Sequence, residues 1–231
     1  MELLNTYITH LTKAAPALLQ GALLTIEITA VSVLMGTVIG LVVSLCRLSP
    51  SRLLSRLAGI YVDVIRGTPL LVQVFIIYFG IPALLSDILS RPVRIAPVAA
   101  AIIACSINSG AYVAEIFRAG IQSIEKGQME AARSLGMTRG QAMRYVILPQ
   151  AFRRVVPPLG NEFIALMKDT SILSAIGVEE LVRKGQLYVA ATFQSFPIYT
   201  GIALVYLVLT LTISRWVAYT ERRLGVKNDQ G

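Results

Sequence analysis

Residues 18–45 read LLQGALLTIEITAVSVLMGTVIGLVVSL, a nearly unbroken apolar run. A helix needs about 20 mostly apolar residues to cross the hydrocarbon core of a bilayer, so this run is long enough to span one. The rest of the chain has the same character. Of its 231 residues, 55% are hydrophobic and 15% charged, with a mean hydropathy of +0.68. Soluble domains carry about 25% charged residues. A chain this apolar reads as a membrane protein, and no polar stretch is long enough to form a soluble domain. The first thirteen residues include Glu2 and His10 and lack a basic leading region. The first apolar run is therefore expected to stay as an anchor rather than be removed as a signal peptide.

Four more candidate spans follow, at about 58–85, 96–118, 155–177 and 196–218. The fourth is the weakest, because it carries Asn161, Glu162, Lys168 and Asp169. Five spans place the termini on opposite sides, and loop Lys and Arg residues choose between the two orientations. With the N-terminus outside, fourteen of them, from Arg47 to Lys227, fall in inner segments. Only Lys13, Arg91, Arg94, Arg183 and Lys184 fall outside. The C-terminus is therefore expected in the cytosol, with the tail Asn228 to Gly231 disordered. The net charge of +8 is read as this topological bias, not as a nucleic-acid surface. Cys46 and Cys105 lie in apolar runs and suggest no disulfide framework. His10, the only histidine, cannot build a metal site alone.

Polar residues inside apolar spans are expensive and usually face a bundle interior or a water-filled path. In the second span Pro69 removes a backbone donor and disfavours helix at Thr68. This predicts either a kinked helix or a pathway wall exposing Thr68 and Gln73. Asp63 and Arg66, three apart, are placed to pair. In the third span Asn108, Tyr112 and Glu115 fall on one stripe, and Glu115 is placed to neutralise Arg118. In the fourth, Pro157 and Pro158 suggest a helix start. Asn161 and Lys168 share one face, Glu162 and Asp169 the next, and Thr170 and Ser171 follow. Charges there must be paired, through Lys168–Asp169 or Lys168–Glu115, or hydrated along a path. A path carrying both signs suits a solute with both an ammonium and a carboxylate. Gly36 and Gly40 allow close helix packing. Residues 178–195, with Glu179, Glu180, Arg183 and Lys184, read as a solvated outer loop or the edge of a docking surface.

Segment 120–154 is too polar to span. Helix formers fill 124–135, Gly136 interrupts them, and a second helical stretch over 138–146 is expected to end at Pro149. The chain contains no Gly-x-x-x-x-Gly-Lys-Ser/Thr loop, no His-Glu-x-x-His and no Gly-x-Ser-x-Gly. Nothing supports catalysis.

The cytosolic segment reads Glu130-Ala131-Ala132, three residues, Gly136, and later Val146-Ile147-Leu148-Pro149. This resembles the EAA motif of permease subunits from bacterial ATP-binding-cassette importers, with Val146 standing where the family pattern has isoleucine. Stretches 66–73, 111–120 and 160–171 resemble phrases of the branch that takes up polar amino acids. The resemblance implies an all-α, five-span helix bundle of the type I importer permease fold, embedded in the bacterial inner membrane. It implies a single transmembrane domain over 1–231, with 120–154 as its coupling loop. Two permease subunits, identical or related, would form the path, two cytosolic ATPases would bind ATP and Mg, and an external binding protein would deliver the solute. The helix at about 126–135 would couple to the ATPase through Glu130, Ala131, Ala132, Arg133 and Gly136, with Leu148 and Pro149 behind it. Glu130 and Arg133 can pair across it. An ATP-independent secondary transporter or channel for small polar solutes is the competing reading.

Overall fold

The computed structural model describes the backbone of residues 2–224 and the side chains of 5–223. The tail Asn228 to Gly231 lies outside them. Every regular element among the described residues is helical: α1 (Glu2–Arg47), α2 (Arg52–Arg66), α3 (Leu70–Phe75), α4 (Ile81–Leu89), α5 (Pro97–Gln122), α6 (Lys126–Ser134), α7 (Arg139–Ala142), α8 (Leu148–Asp169), α9 (Leu181–Thr192) and α10 (Ser195–Leu224). Two π-helical turns, Ile76–Gly80 and Met143–Ile147, join α3 to α4 and α7 to α8. A 3-10 turn, Thr170–Ile176, continues α8. Four stretches are long and apolar enough to cross a membrane: Asn5–Arg47, Leu70–Leu89, Pro97–Gln122 and Ser195–Arg223. The expected run 155–177 is helical but does not join this set, because Glu162, Lys168 and Asp169 lower its hydropathy.

The largest interface packs α1 along α5. At Gly36 a Cβ would stand 2.8 Å from the Ser109 Cβ, and at Gly40 one would stand 2.7 Å from the Val113 Cβ and 2.8 Å from the Ala114 nitrogen. Both glycines thus serve packing within the chain. The Ser32 hydroxyl reaches Ile102 O at 3.5 Å in the same seam. The deepest core gathers Ile28, Val74, Ala101, Ala104, Cys105, Leu166 and Leu173 from α1, α3, α5, α8 and the 3-10 turn. A second cluster of Ala14, Leu18, Ala22, Leu181, Ile198 and Ile202 ties α1 to α9 and α10. α1 starts well ahead of the apolar run, at Glu2, and Ala14 is already buried in this cluster.

Three expectations based on proline need correction. The second span is broken rather than kinked, since α2 stops at Arg66 and α3 starts at Leu70. Pro157 and Pro158 lie inside α8 and do not open it. Pro149 sits in the first turn of α8 and terminates nothing. Pro82 and Pro149 each follow a π-helical turn by two residues. In these turns Ile81 N donates to Ile76 O and Leu148 N to Met143 O, five residues back. A proline ring clashes with the carbonyl four residues earlier, and the wider π turn makes room for it without ending the helix.

The outer loop expectation also changes, because most of 178–195 is α9. Glu180 is fully buried and caps that helix. Its carboxylate accepts from Val182 N at 2.9 Å and Arg183 N at 2.8 Å, and lies 3.4 Å from the Tyr206 hydroxyl. Burial pushes its carboxyl up to about 7 against the pull of those backbone donors. Exposed Glu179 pairs with Lys184 at 2.6 Å, which holds its carboxyl below the usual range.

Gly40→Leu places a side chain where the Ala114 backbone stands. Overpacking of this kind typically costs about 1–3 kcal/mol. Thermal unfolding of the detergent-solubilised protein should fall by several degrees. A melting point equal to the parent's would show that α1 does not depend on this seam.

Candidate solute pathway and coupling surface

Pro69 supplies no backbone N–H, so the break at 67–69 leaves carbonyls of α2 without helical partners. Gln73 covers them. Its side-chain nitrogen donates to Ile65 O at 2.8 Å, Thr68 Oγ1 at 2.9 Å and Thr68 O at 3.1 Å. Its oxygen accepts from Asn108 Nδ2 of α5 at 3.0 Å. The Thr68 hydroxyl donates back to Val64 O at 2.8 Å. Tyr61 anchors α2 to α5 by donating to Ile107 O at 2.6 Å. The break is therefore a hydrogen-bonded element, and Gln73 is buried behind it instead of facing solute.

A cavity of about 470 Å³ opens beside the break. Small-molecule sites span roughly 300–1,000 Å³. Its walls are Arg66 to Leu70 from the break, Asn108 and Tyr112 from α5, and Glu162, Ala165, Leu166 and Asp169 from α8. Of the expected path residues, Thr68, Asn108, Tyr112, Glu162 and Asp169 are brought together here. Asn161 and Lys168 are exposed on the neighbouring face of α8, and neither lines the cavity. Thr170 is buried and donates to Met167 O at 2.7 Å, and Ser171 is half-buried in the 3-10 turn. The cation in the wall is Arg66, which the sequence reading paired with Asp63. No such pair forms among the described residues, and Arg66 stacks over the Tyr112 ring with its guanidinium carbon 5.2 Å from the centroid.

Glu115 lines a second cavity of about 450 Å³ with Arg66, Tyr112, Ile116, Ala119, Gly120, Ser123, Arg154 and Pro158. Its carboxylate is held by Arg47 of α1 at 2.7 Å and by Arg118, whose Nε lies at 3.0 Å. The Arg118 pair matches expectation, whereas Lys168 forms no ion pair with Glu115 or Asp169 among the described residues.

Helix α6 carries the Glu-Ala-Ala segment. Ala132 is buried, and Met129 packs against a small cluster of Ile124, Ile147 and Ala151. Glu130, Ala131, Arg133 and Leu135 are exposed, and Leu135 is 83% accessible. Glu130 and Arg133 form no ion pair among the described residues. Leu148 and Pro149 are exposed at the base of α8. Gly136 has φ +87°. Met137 N donates to Ala132 O at 3.2 Å and Gly136 N to Arg133 O at 3.0 Å, so the helix ends on a left-handed residue that glycine adopts without strain. Thr138 and Gln141 then form a reciprocal cap that starts α7.

The chain thus combines a helix broken at a polar cavity with a short helix, α6, one face of which is exposed. Residues 32–226 match the family described as the binding-protein-dependent transport system inner membrane component. The chain belongs to this family. It is a multi-pass inner-membrane permease subunit, and ATP hydrolysis in such systems belongs to a partner protein. The permease is 43% identical over 213 residues to the glutamine transport system permease protein GlnP of Escherichia coli (strain K12), covering 92% of this chain and 95% of that one. It is 40% identical over 209 residues to the arginine transport system permease protein ArtQ of Bacillus subtilis (strain 168), covering 90% and 93%. In a crystal structure described as an amino acid ABC transporter with histidines, one chain superposes with a TM-score of 0.86 at 43% identity, covering 92% of this permease and 96% of that chain.

Gly136 has open space around it, so the penalty of a side chain there comes from φ alone, roughly 1–2 kcal/mol for most residues. Gly136→Val should lower solute-stimulated ATPase activity of the assembled transporter severalfold, and Gly136→Asn, which tolerates this conformation, should retain most of it. Equal activities would exclude a role for the left-handed turn. Gln73→Leu should destabilise the permease by about 1–3 kcal/mol, because buried carbonyls lose their donors. Thermal unfolding measures that loss.

Proposed function

We propose that the permease passes polar amino acids into the cytosol through the cavity beside the broken helix. The observation that carries this reading is the presence of Arg66, Glu162 and Asp169 in the lining of one cavity. A zwitterion offers a carboxylate to the cation and an ammonium to the acids, and neither a sugar nor a simple ion matches both. The names of the relatives support amino acids as the class. Thr68, Asn108 and Tyr112 complete the lining, and Glu115 continues it inward.

The chain acts as one transmembrane domain, 1–231, crossing five times with its N-terminus outside and its C-terminus in the cytosol. The charged α8 and its 3-10 turn make the fourth crossing, tolerated because its acids face a wet cavity. Segment 120–154 is the cytosolic coupling loop, and α6 presents Glu130, Ala131, Arg133 and Leu135 to an ATPase. Two such ATPases hold ATP and Mg, a second permease chain completes the path, and an external binding protein delivers the solute. Closure of the ATPases moves α6, and alternating access follows at the cavity.

Glu162→Gln and Asp169→Asn should each raise KM for amino-acid uptake by about tenfold, the equivalent of 1.4 kcal/mol, in proteoliposomes holding the whole transporter. Unchanged KM in both variants, or ATPase stimulation by sugars in place of amino acids, would overturn the reading.

A further inference from the structure

The two cavities lie end to end in the groove between α5 and α8. Along α5 the lining passes from Asn108 and Tyr112 to Glu115, Ala119 and Ser123, one helical stripe. Along α8 it runs the opposite way, from Asp169, Ala165 and Glu162 to Pro158 and Arg154. At the far end of the second cavity Arg154 Nη1 donates to Ser123 O at 2.5 Å, three residues before α6 begins. Only two lining residues are common to both cavities, Arg66 and Tyr112, and these two stack on each other.

We propose that the Arg66–Tyr112 stack is the barrier between the two cavities, so that a solute in the first must part this pair to reach the second and the cytosol. The proposal rests on the first cavity being the solute path. Three features suit the pair to this role. Arg66 makes no side-chain hydrogen bond or ion pair among the described residues: Glu115 is held by Arg47 and Arg118, and neither Glu162 nor Asp169 of the first cavity pairs with it. A guanidinium on a ring face is held weakly enough to part and reform. Arg66 is also the last residue of α2, directly before the break, so a small change in the angle of the broken helix swings its side chain by more than the helix moves.

The test uses the assembled transporter in inside-out vesicles, with Cys46→Ser and Cys105→Ala removing native thiols and Ala165→Cys placing one in the first cavity. A membrane-impermeant maleimide is applied from the cytosolic side. Labelling should be slow with the native pair and with Tyr112→Phe, which keeps the ring face. It should be faster by on the order of tenfold with Tyr112→Leu or Arg66→Gln. Arg66→Gln removes the same contact from the other partner, and it carries the test if Tyr112→Leu does not assemble. A mixture of all protein amino acids should slow labelling in Tyr112→Leu, which keeps the Arg66 cation, and less so in Arg66→Gln, which loses it. Protection by amino acids with equal rates in all variants overturns the barrier and leaves the path standing. Absence of protection in every variant defeats the path reading itself. Fast labelling of Tyr112→Phe would show that stacking is not what closes the groove.

Discussion

A backbone carbonyl without a partner inside an apolar bundle carries a penalty of several kcal/mol, and the break at 67–69 creates such carbonyls beside a solute-sized cavity. One side chain resolves most of this. Gln73 reaches back across the gap to Ile65 and Thr68 while Asn108 of α5 steadies its oxygen. With the break fixed in this way, Arg66 ends one helix and Leu70 begins the next, and the wall between them can face water. Without that bridge, the chain would close the cavity by straightening the helix or flood the break with solvent. The position of the cation, the curvature of the wall and the contact to α5 all follow from satisfying these carbonyls.

The same chemistry, solved differently, gives the coupling side its continuity. A proline at 149 would ordinarily stop a helix, which would separate the cytosolic turns from the bundle. The π-helical turn at Met143–Ile147 absorbs the ring, so α7 and α8 run on as one rod. That rod passes Pro158 and Glu162 and reaches Asp169. The residues that touch the α6 cluster and those that line the first cavity therefore sit on a single continuous helix.

Sequence reasoning reached the helical class, the first, third and fifth spans, the short helix at 126–134 and its glycine stop. These depend on local rules: apolar length, helix formers and backbone conformation. It misjudged what depends on tertiary partners. Gln73 looked like a solute contact because its type is polar, yet its partners are backbone atoms a few residues away. Glu180 read as solvated until the buried cap of α9 was seen. Arg66 was matched with Asp63 by spacing, whereas the ring of Tyr112, on another helix, competes for it. Lys168 and Asn161 shared the polar character of Glu162 but not its face, and the direction of that face is set by where α5 packs. Pro149 failed for a further reason: period and propensity do not reveal a π turn, whose only trace is a proline two residues downstream.

Ala131 and Ala132 are adjacent and chemically identical, yet the helix turns them to opposite tasks. Ala132 is buried against its own chain, and Ala131 is exposed. A larger residue would have no free space at buried 132, whereas 131 leaves room for one. Behind them, a Cβ at Gly120 would stand 2.3 Å from Val155 Cγ2, so α5 and α8 are pressed together just above the coupling helix. Under the proposed coupling role of α6, movement of that helix reaches these two closely packed helices, whose groove holds both cavities and borders the break at 67–69.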